Sequence, residues 1–244
     1  MAGAVGWGAL AASSLVIGAL LGLYRRWPER QVGVVLAFGA GALISAVSFE
    51  LAEEGIDVGG AGGVGIGLAV GALSYYLASR RLDRGGERKG HRAPSRAGAA
   101  PAVGGTALAL GATLDGIPEQ LVLGIGLAGG AGVSAPLLLA IFISNLPEAI
   151  GSASEMHADG RSRPSILRLW IVVGVVVTIA TVGGYALADV TGPSFTAVID
   201  GFAAGALLVM LIDSMIPEAA EKAGRVAGLV SVLGFAVAAG LSNM

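Results

Sequence analysis

Eight long apolar segments, separated by short polar stretches, restrict this 244-residue chain to an all-helical fold embedded in a membrane. Each segment is close to the roughly 20 residues that a helix needs to cross the hydrocarbon core of a bilayer. A helix is suited to that core because it satisfies all of its own backbone hydrogen bonds. The chain is 13% charged, whereas a soluble domain has about a quarter of its residues charged. We predict one transmembrane domain over residues 1–244, with spans at about 4–24, 31–52, 58–78, 101–128, 133–154, 169–187, 195–216 and 226–241.

The positive charges predict how these spans are oriented. All fifteen Lys and Arg residues lie in alternate loops, three after the first span, seven after the third, three after the fifth and two after the seventh. The positive-inside rule therefore places these four loops in the cytoplasm and both termini outside. The longest of the loops, the basic linker 80–96, is predicted to be flexible. Its charge serves as an orientation signal, and we expect no binding to nucleic acid.

A short internal repeat indicates inverted symmetry. Residues 38–43 read Phe-Gly-Ala-Gly-Ala-Leu and residues 202–207 read Phe-Ala-Ala-Gly-Ala-Leu, and the same register aligns Glu54 with Glu218. The two copies lie in spans two and seven, which run in opposite directions. This arrangement is typical of inverted-repeat transporters, whose site lies near the membrane midplane on interrupted helices.

Glycines at four-residue spacing mark one face of span three. Small residues allow membrane helices to approach closely, so this stripe predicts a packing surface, either within the chain or between two copies. The stripe consists of Gly59, Gly63, Gly67 and Gly71.

Two matching phrases in the middle of spans four and five supply the candidate functional residues. Each has a proline followed directly by a glutamate, and a charge at bilayer depth costs roughly 2.5–3.5 kcal/mol, so such residues normally mark an ion path. We expect each proline to break its helix and to free a carbonyl oxygen one turn earlier. Asp115 and Glu119 share a helix face, where a divalent cation would relieve the repulsion between their carboxylates. The predicted metal ligands are Asp115, Glu119, Ser144, Asn145 and Glu148.

Weaker candidates for the transport path lie in spans two and seven. Glu50 and Asp213 fall inside apolar runs, although each is equally compatible with a wet position at the membrane boundary. Glu218 follows a third Ile-Pro sequence near the cytoplasmic end and is interpreted as a vestibule residue.

An intramembrane enzyme that uses Asp115 and Glu119 as an acid–base pair is an alternative from a different class. The inverted repeat and the lack of a nucleophile argue against it, because the chain has no cysteine and no predicted span contains a histidine. A metal-sensing or structural membrane protein is a third alternative, which a transport assay would separate.

Together, the eight spans, the basic loop after span three and the two Pro-Glu phrases resemble the ZIP (Zrt/Irt-like) family of divalent-metal transporters. The Phe-Ala-Gly openings of spans two and seven are similar to its bacterial branch. The resemblance implies a protein of the cell membrane that moves a divalent metal toward the cytoplasm, has no cofactor apart from that ion, and forms a homodimer. It also implies a two-metal centre bridged by Glu119 and Glu148, with Asn145 as the amide ligand of span five.

The phrases depart from the family pattern at the positions of its usual nitrogen or amide ligands. Asp115 replaces a histidine, Gly116 replaces an asparagine, and Ser144 replaces a glutamine or histidine. The all-oxygen site that results suits harder ions such as Mn²⁺ or Fe²⁺ better than an imidazole site does. The transported ion is therefore left open among Zn²⁺, Mn²⁺ and Fe²⁺. A diverged relative with another substrate, or with none, is the second transporter interpretation.

Overall fold

The computed structural model describes residues 1–90, 105–128, 133–189 and 192–242, and this part of the chain is helical without strands. Two of the helices continue into π-helical turns, at Val47–Glu53 and Leu211–Met215. The α-helices are α1 (Ala2–Tyr24), α2 (Glu29–Ala46), α3 (Glu54–Gly59), α4 (Ala61–Gly90), α5 (Gly105–Ala128), α6 (Ala135–Ala158), α7 (Arg163–Asp189), α8 (Pro193–Met210), α9 (Ile216–Ala223) and α10 (Val226–Ser242).

Six helical stretches in the described part of the chain are long and apolar enough to cross a bilayer. Helix α10 is shorter, at 17 residues. Helix α5 is not among the six because Asp115, Glu119 and Gln120 lower the mean hydropathy of its middle. The chain is thus a multi-pass membrane protein, and the total of eight spans remains a prediction. The six stretches are Ala2–Tyr24, Glu29–Gly59, Ala61–Arg81, Ala135–Ala158, Arg163–Ala188 and Ser194–Ala223.

The sequence repeat has a structural counterpart in the π-helical turns. Helices α2 and α8 each have 18 residues, and each runs directly into its π turn. These turns begin at Val47 and Leu211, nine residues after Phe38 and Phe202, which open the two copies of the repeat. A π turn adds one residue to a helical turn and often lies at a functional site. Both copies therefore interrupt their helix in the same register.

The glycine stripe of span three packs against α8, within the same chain. A Cβ atom added to Gly67 would collide with the carbonyl oxygen of Val198, and one added to Gly71 with that of Phe202. The prediction of a helix-packing surface is confirmed for this face of α4. Gly59 lies outside it, because the positive φ of 91° at Gly60 ends α3 before α4 begins.

The same contact recurs in the other copy of the repeat. The carbonyl oxygen of Phe38 in α2 meets Gly234 of α10, as that of Phe202 in α8 meets Gly71 of α4. The pairs α2–α10 and α4–α8 are therefore built alike, as the inverted repeat leads one to expect.

Helix α4 continues to Gly90, beyond the end predicted for span three at residue 78. The first part of the basic linker is thus helical. The remainder, residues 91–96, lies outside the described residues.

Two buried apolar clusters meet at helices α5 and α6. The first cluster includes Val122 and Leu123 of α5 and Ile141 of α6, together with residues of α2, α4 and α8. The second cluster surrounds Trp170 of α7 and includes residues of α1, α5 and α6. Ala112 of α5 belongs to this second cluster, as does Ala149 of α6. Each helix changes from one cluster to the other across its Pro-Glu phrase, which places the polar residues where the two clusters adjoin.

Candidate metal centre

The two prolines lie inside continuous helices. Helix α5 runs through Pro118 and helix α6 through Pro147, so the expectation that they break these helices is wrong. A proline still lacks an N–H, and its ring displaces the carbonyl four residues earlier. The freed oxygens are those of Leu114 and Ile143, each on the turn that precedes a phrase. The interruptions of regular α-helix lie instead in the π turns that follow α2 and α8.

The two phrases are in direct contact. The hydroxyl of Ser144 in α6 donates a hydrogen bond of 3.0 Å to Oε1 of Glu119 in α5. Asn145 lies beside the same carboxylate, and both of these residues are 1% exposed. The structure therefore brings Glu119, Ser144 and Asn145 together, as predicted ligands of one site would require.

Ser144 has a choice of acceptors. Its hydroxyl is also 3.0 Å from the carbonyl oxygen of Ile141, one turn earlier in α6. A hydroxyl has one proton to donate, and a bond to a charged carboxylate is stronger than one to a neutral carbonyl. The bond to Glu119 is therefore favoured while that glutamate is ionised.

Asp115 is engaged by a residue from a third helix. The Tyr75 hydroxyl of α4 donates a hydrogen bond to Oδ1 of Asp115, and both residues are 6% exposed. Tyr75 was not singled out in the sequence. The available signal was its place one turn after Gly71, on the face that carries the glycine stripe.

Several polar atoms at the phrases are buried without a hydrogen-bond partner among the described residues. They are Oε2 of Glu119, Nδ2 of Asn145 and Oε2 of Glu148. Buried polar atoms are nearly always paired, so unpaired ones call for a specific explanation. A cation between the carboxylate oxygens would provide one.

The described side chains contain no group of three His, Cys, Asp or Glu residues arranged to hold a metal ion. The carboxylates of Asp115, Glu119 and Glu148 interact electrostatically, but they do not form a closed cage. Gly116 has no side chain and adds no ligand, at the position where the sequence analysis noted that it replaces an asparagine. A Cβ added there would lie 3.0 Å from Cγ1 of Val177 in α7, so this space is filled by a neighbouring helix.

Two of the weaker candidates line cavities of their own. Glu50 accepts a 3.1 Å hydrogen bond from Ser242 and lines a cavity of about 410 Å³ with Glu53 and Glu54. Asp213 is exposed and lines a separate, mainly apolar cavity. Each of the two residues thus lines a cavity to which none of the phrase residues contributes.

Glu218 is closer to the phrases and brings a cation with it. Its carboxylate forms an ion pair with Lys222, four residues later in α9. Glu218 interacts electrostatically with Asp115 and Glu148, and Lys222 with Glu148. Lys222 was not predicted as part of the site. The sequence signal that could have identified it is its position four residues after Glu218, a spacing that brings opposite charges together on one helix face.

The sequence of this chain is similar to those of known proteins. A family model described as ZIP Zinc transporter matches residues 80–242, a region that includes α5 and α6. The chain is 25% identical over 122 residues to Zinc transporter SLC39A7 of Mus musculus, across 48% of this chain and 26% of the relative. It is 32% identical over 114 residues to Putative zinc transporter At3g08650 of Arabidopsis thaliana, across 46% of this chain and 18% of the relative. The match thus spans about a quarter or less of the length of these curated relatives.

Proposed function

This chain belongs to the ZIP family, and we propose that it moves a divalent metal ion across the cell membrane toward the cytoplasm, through a site between α5 and α6. Under this proposal the metal is the transported substrate and the protein is not an enzyme. The similarity of the chain to parts of two zinc transporters supports this assignment.

The single observation that carries the proposal is the contact between the two Pro-Glu phrases. The 3.0 Å bond from Ser144 to Glu119 joins them where the two apolar clusters meet. Nearby, one oxygen of Glu119 and one of Glu148 are buried without partners. Buried acids in a membrane protein usually mark an ion path, and a divalent cation satisfies such oxygens directly.

We assign the ligands as follows. Glu119 and Glu148 contribute the unpaired carboxylate oxygens and bridge the metal ions. Asn145 contributes its amide oxygen, and Asp115 and Ser144 complete an oxygen-only set. Such a set favours Mn²⁺ and Fe²⁺ over the imidazole-preferring Zn²⁺, although all three remain candidate substrates.

The proposed topology has eight spans and both termini outside the cell. The six apolar helical stretches correspond to spans one, two, three, five, six and seven of this topology. The fifteen positive charges in alternate loops support its orientation. In this orientation Glu50 lies toward the outside, and Glu218 and Lys222 lie toward the cytoplasm. A homodimer remains part of the proposal. Its interface would not use Gly67 and Gly71, because these pack on α8.

Metal uptake by proteoliposomes tests the proposed function. The purified chain should take up at least one of Zn²⁺, Mn²⁺, Fe²⁺ and Cd²⁺ faster than empty liposomes, and Glu119→Ala should abolish that uptake. Mutation of a residue that only orients a metal ligand typically lowers metal affinity or activity about 10–100-fold. Removal of a ligand itself should lower uptake at least as much. Glu221→Ala is the matched control, because Glu221 is an exposed acid on α9. Wild-type uptake at the rate of empty liposomes would refute the proposal.

A further inference from the structure

Tyr75 is the only described residue that forms a hydrogen bond with the Asp115 side chain, and it comes from outside the two phrases. The bond spans 40 positions in the sequence and connects α4 to α5. Because the Tyr75 hydroxyl donates to Oδ1, that oxygen is partly occupied, and Oδ2 remains for another partner.

Glu119 shows the same pattern one turn later in α5. Its Oε1 accepts the hydrogen bond from Ser144, while its Oε2 is buried without a partner. Each carboxylate of α5 thus has one oxygen held by a hydroxyl of a neighbouring helix. Glu119 therefore presents one unpaired oxygen, and Asp115 has one oxygen outside the Tyr75 bond.

We propose that Tyr75 is a specificity-determining residue, which favours ligation of the metal by Asp115 through one oxygen rather than two. This inference rests on the proposed function, because it concerns the selectivity of the same metal site. It adds Tyr75 to the residues that decide which ion is accepted.

The physical basis is the difference between one-oxygen and two-oxygen ligation. Ca²⁺ accepts carboxylates with both oxygens, at about 2.3–2.6 Å, in a flexible shell of six to eight ligands. Zn²⁺ binds carboxylate oxygens at about 2.0–2.2 Å and almost always takes about four ligands. A carboxylate oxygen that accepts a hydrogen bond keeps a second lone pair, but it is a weaker and more crowded metal ligand. The Tyr75 bond therefore disfavours ligation through both oxygens, and with it the larger ion more than the smaller one.

Tyr75→Phe is the direct test, since it keeps the buried ring and removes only the hydroxyl. The full chain in detergent would be titrated with Mn²⁺, and binding followed by the loss of the electron paramagnetic resonance signal of free Mn²⁺. Displacement by Ca²⁺ and by Zn²⁺ then gives a selectivity ratio for each variant. A hydrogen bond to a charged group is strong enough to change an equilibrium about tenfold or more. We expect Tyr75→Phe to shift the ratio about tenfold toward Ca²⁺.

Two controls separate a role through Asp115 from a role in packing. Tyr76→Phe changes the adjacent tyrosine, which is exposed and has the Arg80 guanidinium over its ring, and should leave the ratio unchanged. In the Asp115→Asn background, Tyr75→Phe should produce no further shift, because the carboxylate on which Tyr75 acts is gone. A purely structural effect would appear in both backgrounds.

The outcomes distinguish this inference from the proposed function. A wild-type ratio in Tyr75→Phe, or an equal shift in the Asp115→Asn background, overturns the role of Tyr75 even if the protein transports metal. Wild-type protein that binds Mn²⁺ with a Tyr75-dependent ratio, but moves no metal in proteoliposomes, supports this inference and refutes the proposed transport. Wild-type protein that binds none of the three ions overturns this inference, and the proposed function is overturned with it only if uptake of Fe²⁺ and Cd²⁺ also fails.

Discussion

The Ser144 hydroxyl lies 3.0 Å from Oε1 of Glu119, and this hydrogen bond joins helices α5 and α6 at their Pro-Glu phrases. The two residues are 25 positions apart and fully buried. The bond therefore stabilises the packing of the two helices and also positions Glu119 in the candidate metal centre.

Ser144→Ala should lower stability, and by a larger amount when metal is present. The other oxygen of Glu119 has no hydrogen-bond partner by geometry, so the substitution leaves a buried carboxylate with only the Asn145 amide beside it. The expected cost is about 1–3 kcal/mol in the absence of metal, and more with saturating Mn²⁺, because Ser144 belongs to the proposed ligand set and its loss weakens the metal binding that stabilises the folded protein. Thermal unfolding of the detergent-solubilised protein would measure it. Ser48→Ala is the control, because the Ser48 hydroxyl is exposed and bonds within its own helix. Equal losses in the two variants would contradict the special position of Ser144.

Replacement of Asp115 should alter the choice of ion. Asp115→His adds a neutral imidazole, which Zn²⁺ prefers to carboxylate more strongly than Mn²⁺ does. We expect a higher ratio of Zn²⁺ to Mn²⁺ uptake, most clearly near neutral pH, because the histidine must be deprotonated to bind. Asp115→Asn removes the charge without adding a nitrogen ligand, and should shift the ratio less. If both variants shift it equally, Asp115 is not a ligand, and the site depends on Glu119, Asn145 and Glu148.

Removal of the Lys222 cation should strengthen metal binding. The ammonium group interacts with Glu148 and pairs with Glu218, so it competes with a metal for the same negative charge. Lys222→Met should lower the Kd for Mn²⁺ severalfold at low salt, and less at high salt because of screening. Stability should change by less than about 1 kcal/mol, since the pair is partly solvated. Arg225→Met removes an exposed cation at the same end and is the control. An unchanged Kd in Lys222→Met would show that the lysine does not compete.

Gly71→Ala should destabilise the contact between α4 and α8. The added Cβ would meet the carbonyl oxygen of Phe202, which belongs to the backbone and cannot rotate away. Overpacking of this kind costs about 1–3 kcal/mol, and each kcal/mol lowers Tm by roughly 2–4 °C in a chain of this size. Gly65→Ala is the control, because its Cβ would enter open space. A normal Tm for Gly71→Ala would mean that this helix pair is more loosely packed than the structure shows.

Single cysteines test the orientation, and the chain offers a clean background because it has none of its own. Cysteines at positions 3 and 243 should react with a membrane-impermeant reagent in intact cells. A cysteine at Gly90 should react only after permeabilisation, because it lies in a cytoplasmic segment under the positive-inside rule. Gly3 has open space around an added Cβ, so the substitution there should be tolerated. The opposite labelling pattern would reverse the topology, and with it the direction of uptake.

Local patterns in the sequence were sufficient for much of the fold. The glycine spacing of span three predicted a packing face, and α8 lies on it at Gly67 and Gly71. The Phe38 and Phe202 repeats predicted related helices, which continue into π turns at equivalent positions. These predictions succeed because helix periodicity and close backbone approach depend on residues within a few turns of one another.

The prolines show where local rules were not enough. Pro118 was expected to break its helix, but α5 continues through it, as α6 continues through Pro147. Neighbouring helices can support the freed backbone groups of a proline in a membrane protein, so an uninterrupted helix is tolerated. The cost of the missing hydrogen bond is therefore set by tertiary surroundings.

The sequence by itself determined that the chain is a helical membrane protein, which residues carry charge into its apolar spans, and how the positive loops alternate. Only the tertiary structure decided that Tyr75 reaches Asp115 and that Ser144 reaches Glu119. The reason is that these bonds depend on the rotation and separation of whole helices, which are set by packing across the two apolar clusters. A different rotation of either helix about its axis would give the same carboxylates different partners, and residue spacing along one helix carries no information about that angle.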